Sequence, residues 1–197
     1  MSAYLIVGMP RSKTAWMSVV ASMVPGSICH HEPVTRFKRW ECCFDIWKNT
    51  AMPHVGIADS GLGFHLERIL AEVAPRVLII RRDPKEVIES LKRISPTQIN
   101  YEPENLVRAL TESLDAFAAA PGVLSVAFED LERPEIVANC LNHLIPGGTL
   151  SEDRIRELID LNIQVDVDRF WKLAGANRAH AIEMVGRDIA LRLRVMQ

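Results

Sequence analysis

The stretch YLIVGMPRSKTAW, residues 4–16, passes from an apolar run straight into a turn carrying a glycine, a proline, two cations and two hydroxyls. A buried strand, a turn of this kind and a following helix gather free backbone N–H groups and the positive end of a helix dipole at one point. Arg11, Ser12, Lys13 and Thr14 bring charge and hydroxyl donors to that point, a set suited to a phosphate or sulfate group. Cations at a helix start are unfavourable unless an anion offsets them, which argues against an ordinary solvated turn.

Other segments carry groups that could work beside such a loop. In VLIIRRDPKEVIESL, residues 77–91, a strand ends at Arg82, Asp83 can cap the next helix, Pro84 suits its first position and Glu86 can complete a reciprocal cap. Arg82 and the helix face bearing Asp83, Glu86 and Ser90 then turn toward one edge. CHHEPV, residues 29–34, offers His30, His31 and Glu32 just past a short strand, where a proton acceptor could stand. Successive strand residues point to opposite faces, so one of the two histidines is expected to face a site. Asp59, at the end of HVGIAD, is a further candidate base.

These loops need a scaffold, and composition bounds it. The chain has 197 residues, 48% hydrophobic and 24% charged, which suits one globular domain over residues 1–197. A net charge of −2 gives no bulk attraction to nucleic acid or an acidic membrane, so anion binding must be local. Cys29, Cys42, Cys43 and Cys140 fit neither a secreted disulfide framework nor a zinc site, and read as reduced, buried thiols. No run approaches the roughly 18 apolar residues of a membrane span, and no charged segment precedes an apolar leader. A cytoplasmic protein is expected.

Apolar runs rich in β-branched residues alternate with segments of helical period, the pattern of a parallel sheet covered by helices. Strands are expected at 4–8, 54–59, 76–80 and 124–129, with a weaker one at 27–31. Trp16, Val19, Val20, Met23 and Val24 form one apolar helical stripe, ended by Pro25 and Gly26. Leu66, Ile69, Leu70 and Val73 mark a second helix, Leu106, Leu110, Leu114 and Phe117 a third, and Ile136, Val137, Cys140, Leu141 and Leu144 a fourth. TLSE at 149–152 predicts a capping box, Thr149 with Glu152, for a helix carrying Ile155, Leu158 and Ile159. From about 150 the chain reads as helical, including the tail beyond about 175. Phe37, Trp40, Phe44 and Trp47 recur at helical spacing among Arg36, Lys38, Arg39 and Lys48, a helix expected to pack on the core and to serve as a lid over an acceptor. DVDRFW, 166–171, reads mainly as packing.

The opening loop departs from the standard Walker pattern, since Lys13 occupies the second glycine position counted from Gly8. It resembles instead the PKSGTTW or PRSGTTW loop of sulfotransferases, which cradles the 5′-phosphosulfate of 3′-phosphoadenosine 5′-phosphosulfate (PAPS). Pro10, Arg11, Ser12, Thr14 and Trp16 match; Lys13 replaces the glycine and Ala15 the second threonine. RDPKEVIES, 82–90, resembles the family's RDPxxxxxS segment, in which the arginine and the serine eight residues later bind the nucleotide 3′-phosphate. VLSVAFEDL, 123–131, resembles its xYEDL strand and turn, which is mostly architectural there. The RKG segment that completes the 3′-phosphate site in cytosolic sulfotransferases has no counterpart here.

The resemblance implies a three-layer α/β/α fold of the P-loop nucleoside-triphosphate-hydrolase type, PAPS as donor, no metal, and a small-molecule or carbohydrate acceptor. It implies that Arg11, Ser12, Lys13, Thr14, Ala15 and Trp16 bind the 5′-phosphosulfate and Arg82 and Ser90 the 3′-phosphate. Arg11 would stabilise the leaving oxygen, and Glu32, or secondarily His31, would remove the acceptor proton. Two other readings stay open. The apolar run ending in Asp59 resembles a Mg²⁺-holding Walker B strand, which with Lys13 and Thr14 suggests a small-molecule kinase. A catalytically silent nucleotide-binding relative is the other.

Overall fold

The computed structural model describes residues 2–93 and 102–160. The expected helix beyond 175 and the DVDRFW segment lie outside the described residues. The strands β1 (Ser2–Gly8), β2 (Ser27–His31), β3 (His54–Ala58), β4 (Arg76–Arg81) and β5 (Val123–Ala127) form one five-stranded sheet in the order β2-β3-β1-β4-β5. All four strand pairs are parallel. β1 lies in the middle, and Tyr4 through Val7 are fully buried because strands covered on both faces must be apolar throughout.

Helices cover both faces, giving the expected three layers. The helices α1 (Thr14–Ser22), α7 (Pro134–Leu144) and α8 (Glu152–Ile159) enclose one core with Tyr4, Ile6, Leu78 and Ile80. The opposite core takes Leu5, Val7, Ile57 and Ile79, with α3 (Cys42–Asn49), α4 (Leu66–Glu72), α5 (Pro84–Lys92) and α6 (Pro103–Phe117). β1 therefore leaves toward one face while its neighbours β3 and β4 leave toward the other. The divergence opens a crevice at the carboxyl end of β1, where ligands bind in open α/β sheets.

Close strand contacts hold this edge in register. Tyr4 pairs with Gly56, and a Cβ at Gly56 would sit 1.9 Å from the Tyr4 ring. The Tyr4 hydroxyl shares a 2.8 Å hydrogen bond with Ser27 Oγ, so the ring has no room to yield. Gly8, the last residue of β1, approaches β4 so closely that a Cβ would lie 2.7 Å from the Ile80 carbonyl oxygen.

Several local expectations are corrected. α1 is buried on every side rather than along one stripe, because the sheet and the α7–α8 pair both cover it. β5 ends at Ala127, and Phe128 leads into a 3-10 turn, Glu129–Glu132. The cap of α8 is Ser151, whose Oγ accepts from the Arg154 N–H at 3.3 Å, so Thr149 does not form the capping box. The aromatic segment is not one helix: α2 (Pro33–Phe37) ends at left-handed Lys38 before α3 begins. All four cysteines are free and buried; burial pushes the Cys42 thiol to about 11 and those of Cys43 and Cys140 to about 12. Among the described residues, no helix is long and apolar enough to cross a membrane.

Asp59 ties the exits of β2 and β3 together. One carboxylate oxygen accepts from the Gly61 N–H at 2.8 Å, and the other from the Val34 N–H at the start of α2 at 3.0 Å. Burial raises its pKa, partly opposed by those two N–H groups. A carboxyl that holds its proton more tightly folded than unfolded contributes full stability below the unfolded value of about 3.9, and loses it as pH rises through the folded value. The urea midpoint of the wild type relative to Asp59→Asn should therefore fall as pH rises from about 4 and then level off; a rising difference would overturn the assignment.

Candidate functional site

The loop between β1 and α1 has an unusual backbone. Arg11 and Lys13 are both left-handed, at φ 69° and 59°, which costs non-glycine residues about 1–2 kcal/mol each. Lys13 is the N-cap of α1 and supplies no side-chain cap. The helical ladder begins with the Met17 N–H donating to the Lys13 carbonyl at 2.8 Å, so the N–H groups of Thr14, Ala15 and Trp16 precede it. α1 thus starts with uncapped donors at the centre of the sheet's carboxyl edge, and no acidic residue lies in its first turn.

The loop is held from β4. Arg82 NH1 donates to the Arg11 carbonyl at 2.7 Å, and Arg11 Nε donates to Ser90 Oγ on α5 at 3.4 Å. Arg11, Arg82 and Ser90, predicted from separate segments, therefore meet. Asp83 caps α5 as expected, its carboxylate accepting from the Lys85 N–H at 2.7 Å, with Pro84 in the first turn. Glu86 departs from expectation: instead of a reciprocal cap, it accepts from Arg82 Nε at 3.1 Å. This ion pair holds the guanidinium along the helix face, with NH1 directed at the loop.

The rest of the predicted loop residues divide by burial. Ser12 is fully buried and its hydroxyl has no partner among the described residues; leaving a buried hydroxyl unpaired costs about 1–3 kcal/mol. Thr14 is also buried. Ala15 is half-buried against the core, and the buried Trp16 donates its indole N–H to the Leu158 carbonyl at 2.6 Å, anchoring α1 to α8. Lys13 lies over the Phe128 ring at 4.7 Å, and Arg82 over the same ring at 4.4 Å. The Lys13 ammonium also reaches Glu132 at 3.6 Å.

Phe128 and Glu132 were not singled out in the sequence. Their place depends on β5 pairing with β4, which brings the Phe128 N–H to the Arg81 carbonyl at 2.6 Å, next to Arg82. An aromatic followed by acids at a strand end is the only local signal, and alone it has no specificity.

A second group stands two strands away. Glu32 follows β2 in a left-handed conformation, φ 49°, and its side chain is 47% exposed. His31 is buried, with Nε2 3.8 Å from Glu32 Oε1, and both lie close enough to Asp59 to act on its charge. Glu32 is thus the accessible member of a carboxylate–imidazole pair, whereas Asp59 has both oxygens engaged by backbone N–H groups. The aromatics divide as well. Trp47 is buried, Trp40 stacks on His65 at 4.4 Å, and Phe37 remains 48% exposed beyond Glu32. Among the described residues no cluster of three or more His, Cys, Asp or Glu side chains is placed to hold a metal.

No protein-family model matches the sequence, and no curated protein matches it. Solved structures match its fold. A sulfotransferase from Alicyclobacillus acidocaldarius aligns over 98% of both chains at 15% identity, TM-score 0.58. Mouse sulfotransferase SULT7A1, complexed with PAP, aligns over 98% of this chain and 74% of its own at 14% identity, TM-score 0.60. The sulfotransferase domain of the Synechococcus PCC 7002 olefin synthase aligns over all of this chain and 94% of its own at 16% identity, TM-score 0.56. The chain is therefore built on the α/β fold that these sulfotransferases share.

Proposed function

We propose that this protein transfers a sulfuryl group from PAPS to a hydroxyl or amine of a small-molecule or carbohydrate acceptor. The observation that carries the reading is the start of α1, where uncapped N–H groups meet Arg11 and Arg82 at the crevice of the sheet. That concentration of donors and positive charge has an electrostatic cost without an anion and a gain with one. The unpartnered Ser12 hydroxyl fits the same ligand.

In this proposal the loop N–H groups, Ser12 and Thr14 hold the 5′-phosphosulfate, with Ala15 and Trp16 setting the backbone of the first turn. With Arg82 Nε engaged by Glu86 and NH1 by the Arg11 carbonyl, NH2 has no acceptor among the described residues, which leaves donors for the 3′-phosphate beside Ser90. Transfer forms a bond from the acceptor oxygen or nitrogen to sulfur and breaks the bond from sulfur to the phosphate oxygen. The electron pair leaves on that oxygen, where Arg11, assisted by Lys13, stabilises the charge. Glu32 accepts the acceptor's proton, and buried His31 orients its carboxylate.

A kinase would need Asp59 to hold Mg²⁺ with a buried carboxylate whose two oxygens already accept from the Val34 and Gly61 N–H groups. Calorimetric titration separates the readings: 3′-phosphoadenosine 5′-phosphate (PAP) should bind without metal and in preference to ATP with Mg²⁺. Preference for ATP with Mg²⁺ would move the function to phosphoryl transfer, and binding of PAP without turnover of any acceptor would leave a silent relative.

Removing a hydrogen bond to a charged group costs about 1.5–3 kcal/mol, so Arg82→Ala should weaken PAP binding about 10- to 100-fold. The loss should be smaller for adenosine 5′-phosphosulfate, which lacks the 3′-phosphate; equal losses would reduce Arg82 to a brace for the loop. Glu32→Gln should lower kcat by about 10²–10⁴ while leaving PAP affinity near wild type, as expected for a general base. A changed affinity with unchanged kcat would place Glu32 outside the chemistry.

A further inference from the structure

Lys13 stands where the loop's side chain has two competing destinations. Its left-handed backbone directs the ammonium out of the turn, 4.7 Å from the Phe128 centroid and 5.9 Å from that of Trp16. There it meets Glu132, whose carboxylate is 3.6 Å away and 70% exposed, while Lys13 itself is 27% exposed. Glu132 closes a turn that also bears Glu129 and Asp130, and Asp130 faces Arg133 at 3.7 Å. Within this turn, Glu132 is the carboxylate paired with the loop lysine.

We propose that Glu132 is an internal competitor for the anion: it holds Lys13 against Phe128 and releases it when a phosphosulfate or phosphate enters the loop. The inference rests on the loop being an anion site, as argued above. Phe128 makes the exchange short-range, because its ring faces both Lys13 and Arg82 and keeps the two cations on the same side of β5. A largely exposed carboxylate at this distance makes a weak, salt-screened pair, which a multiply charged ligand can displace. Glu132 is thereby a positioning residue that lowers the loop's affinity for every anion that must displace it from Lys13.

The test is a calorimetric cycle on the full chain with PAP, comparing wild type, Glu132→Gln, Lys13→Met and the double variant at low and high salt. Glu132→Gln should tighten binding about two- to fivefold, the range of an exposed ion pair. That gain should vanish in the Lys13→Met background and shrink in high salt, and Glu132→Ala should reproduce it. A merely structural role would change thermal midpoint without this pattern. An unchanged or weaker affinity in Glu132→Gln, or the same gain without Lys13, would overturn the proposal while leaving PAPS as donor intact. If the wild type binds no PAP, the donor reading fails by itself, and the same variants are titrated with inorganic sulfate. The same pattern there would sustain the competition; its absence, or no sulfate binding, would end it.

Discussion

Between Gly8 and Thr14 the backbone places two non-glycine residues, Arg11 and Lys13, in the left-handed region, and this strained turn is stabilised from outside itself. The Arg82 guanidinium, anchored on Glu86, donates to the Arg11 carbonyl, while Ser90 takes the Arg11 side chain. Everything proposed for the site depends on that cross-strand hold. It fixes where the uncapped N–H groups of α1 point, and it ties the first predicted segment to the second. Close packing of Gly8 on the Ile80 carbonyl brings β1 and β4 near enough for the hydrogen bond to form.

The charge arrangement follows from the same geometry. Three cations converge on a helix start that already carries positive partial charge; Arg82 and Lys13 have carboxylate partners, Glu86 and Glu132, whereas Arg11 has a neutral one, the Ser90 hydroxyl. None of these partners is deeply buried, so none holds its cation as firmly as a bound multivalent anion would. The protein is nearly neutral overall, so this concentration of positive charge is a local property of the edge.

On the other side of β1, Asp59 performs architectural work that makes Glu32 available. By accepting from the Val34 and Gly61 N–H groups, it fastens the start of α2 to the exit of β3 and leaves Glu32 as the exposed carboxylate beside buried His31.

The parallel α/β architecture was legible because buried strands must be apolar on both faces and helices must be periodic, and both patterns survive in a linear reading. The proposed anion-binding loop could be picked out for a related reason: its chemistry lies within a few consecutive residues, Arg11 to Thr14. Local competition was harder to read. Thr149 and Ser151 are both acceptable caps, and Glu86 could serve either a helix terminus or Arg82; only the packed position of α8 and the approach of Arg82 decide. Glu132, and the role of Phe128 beyond its place in the 123–131 strand and turn, could not be read from the sequence, since their meaning arises when β5 pairs with β4 and brings residues more than a hundred positions apart against Lys13. The sequence by itself determined which groups could bind an anion and which elements would carry them. The tertiary structure decided which of those groups meet, because parallel strands place their loops together only through crossovers that no local pattern encodes.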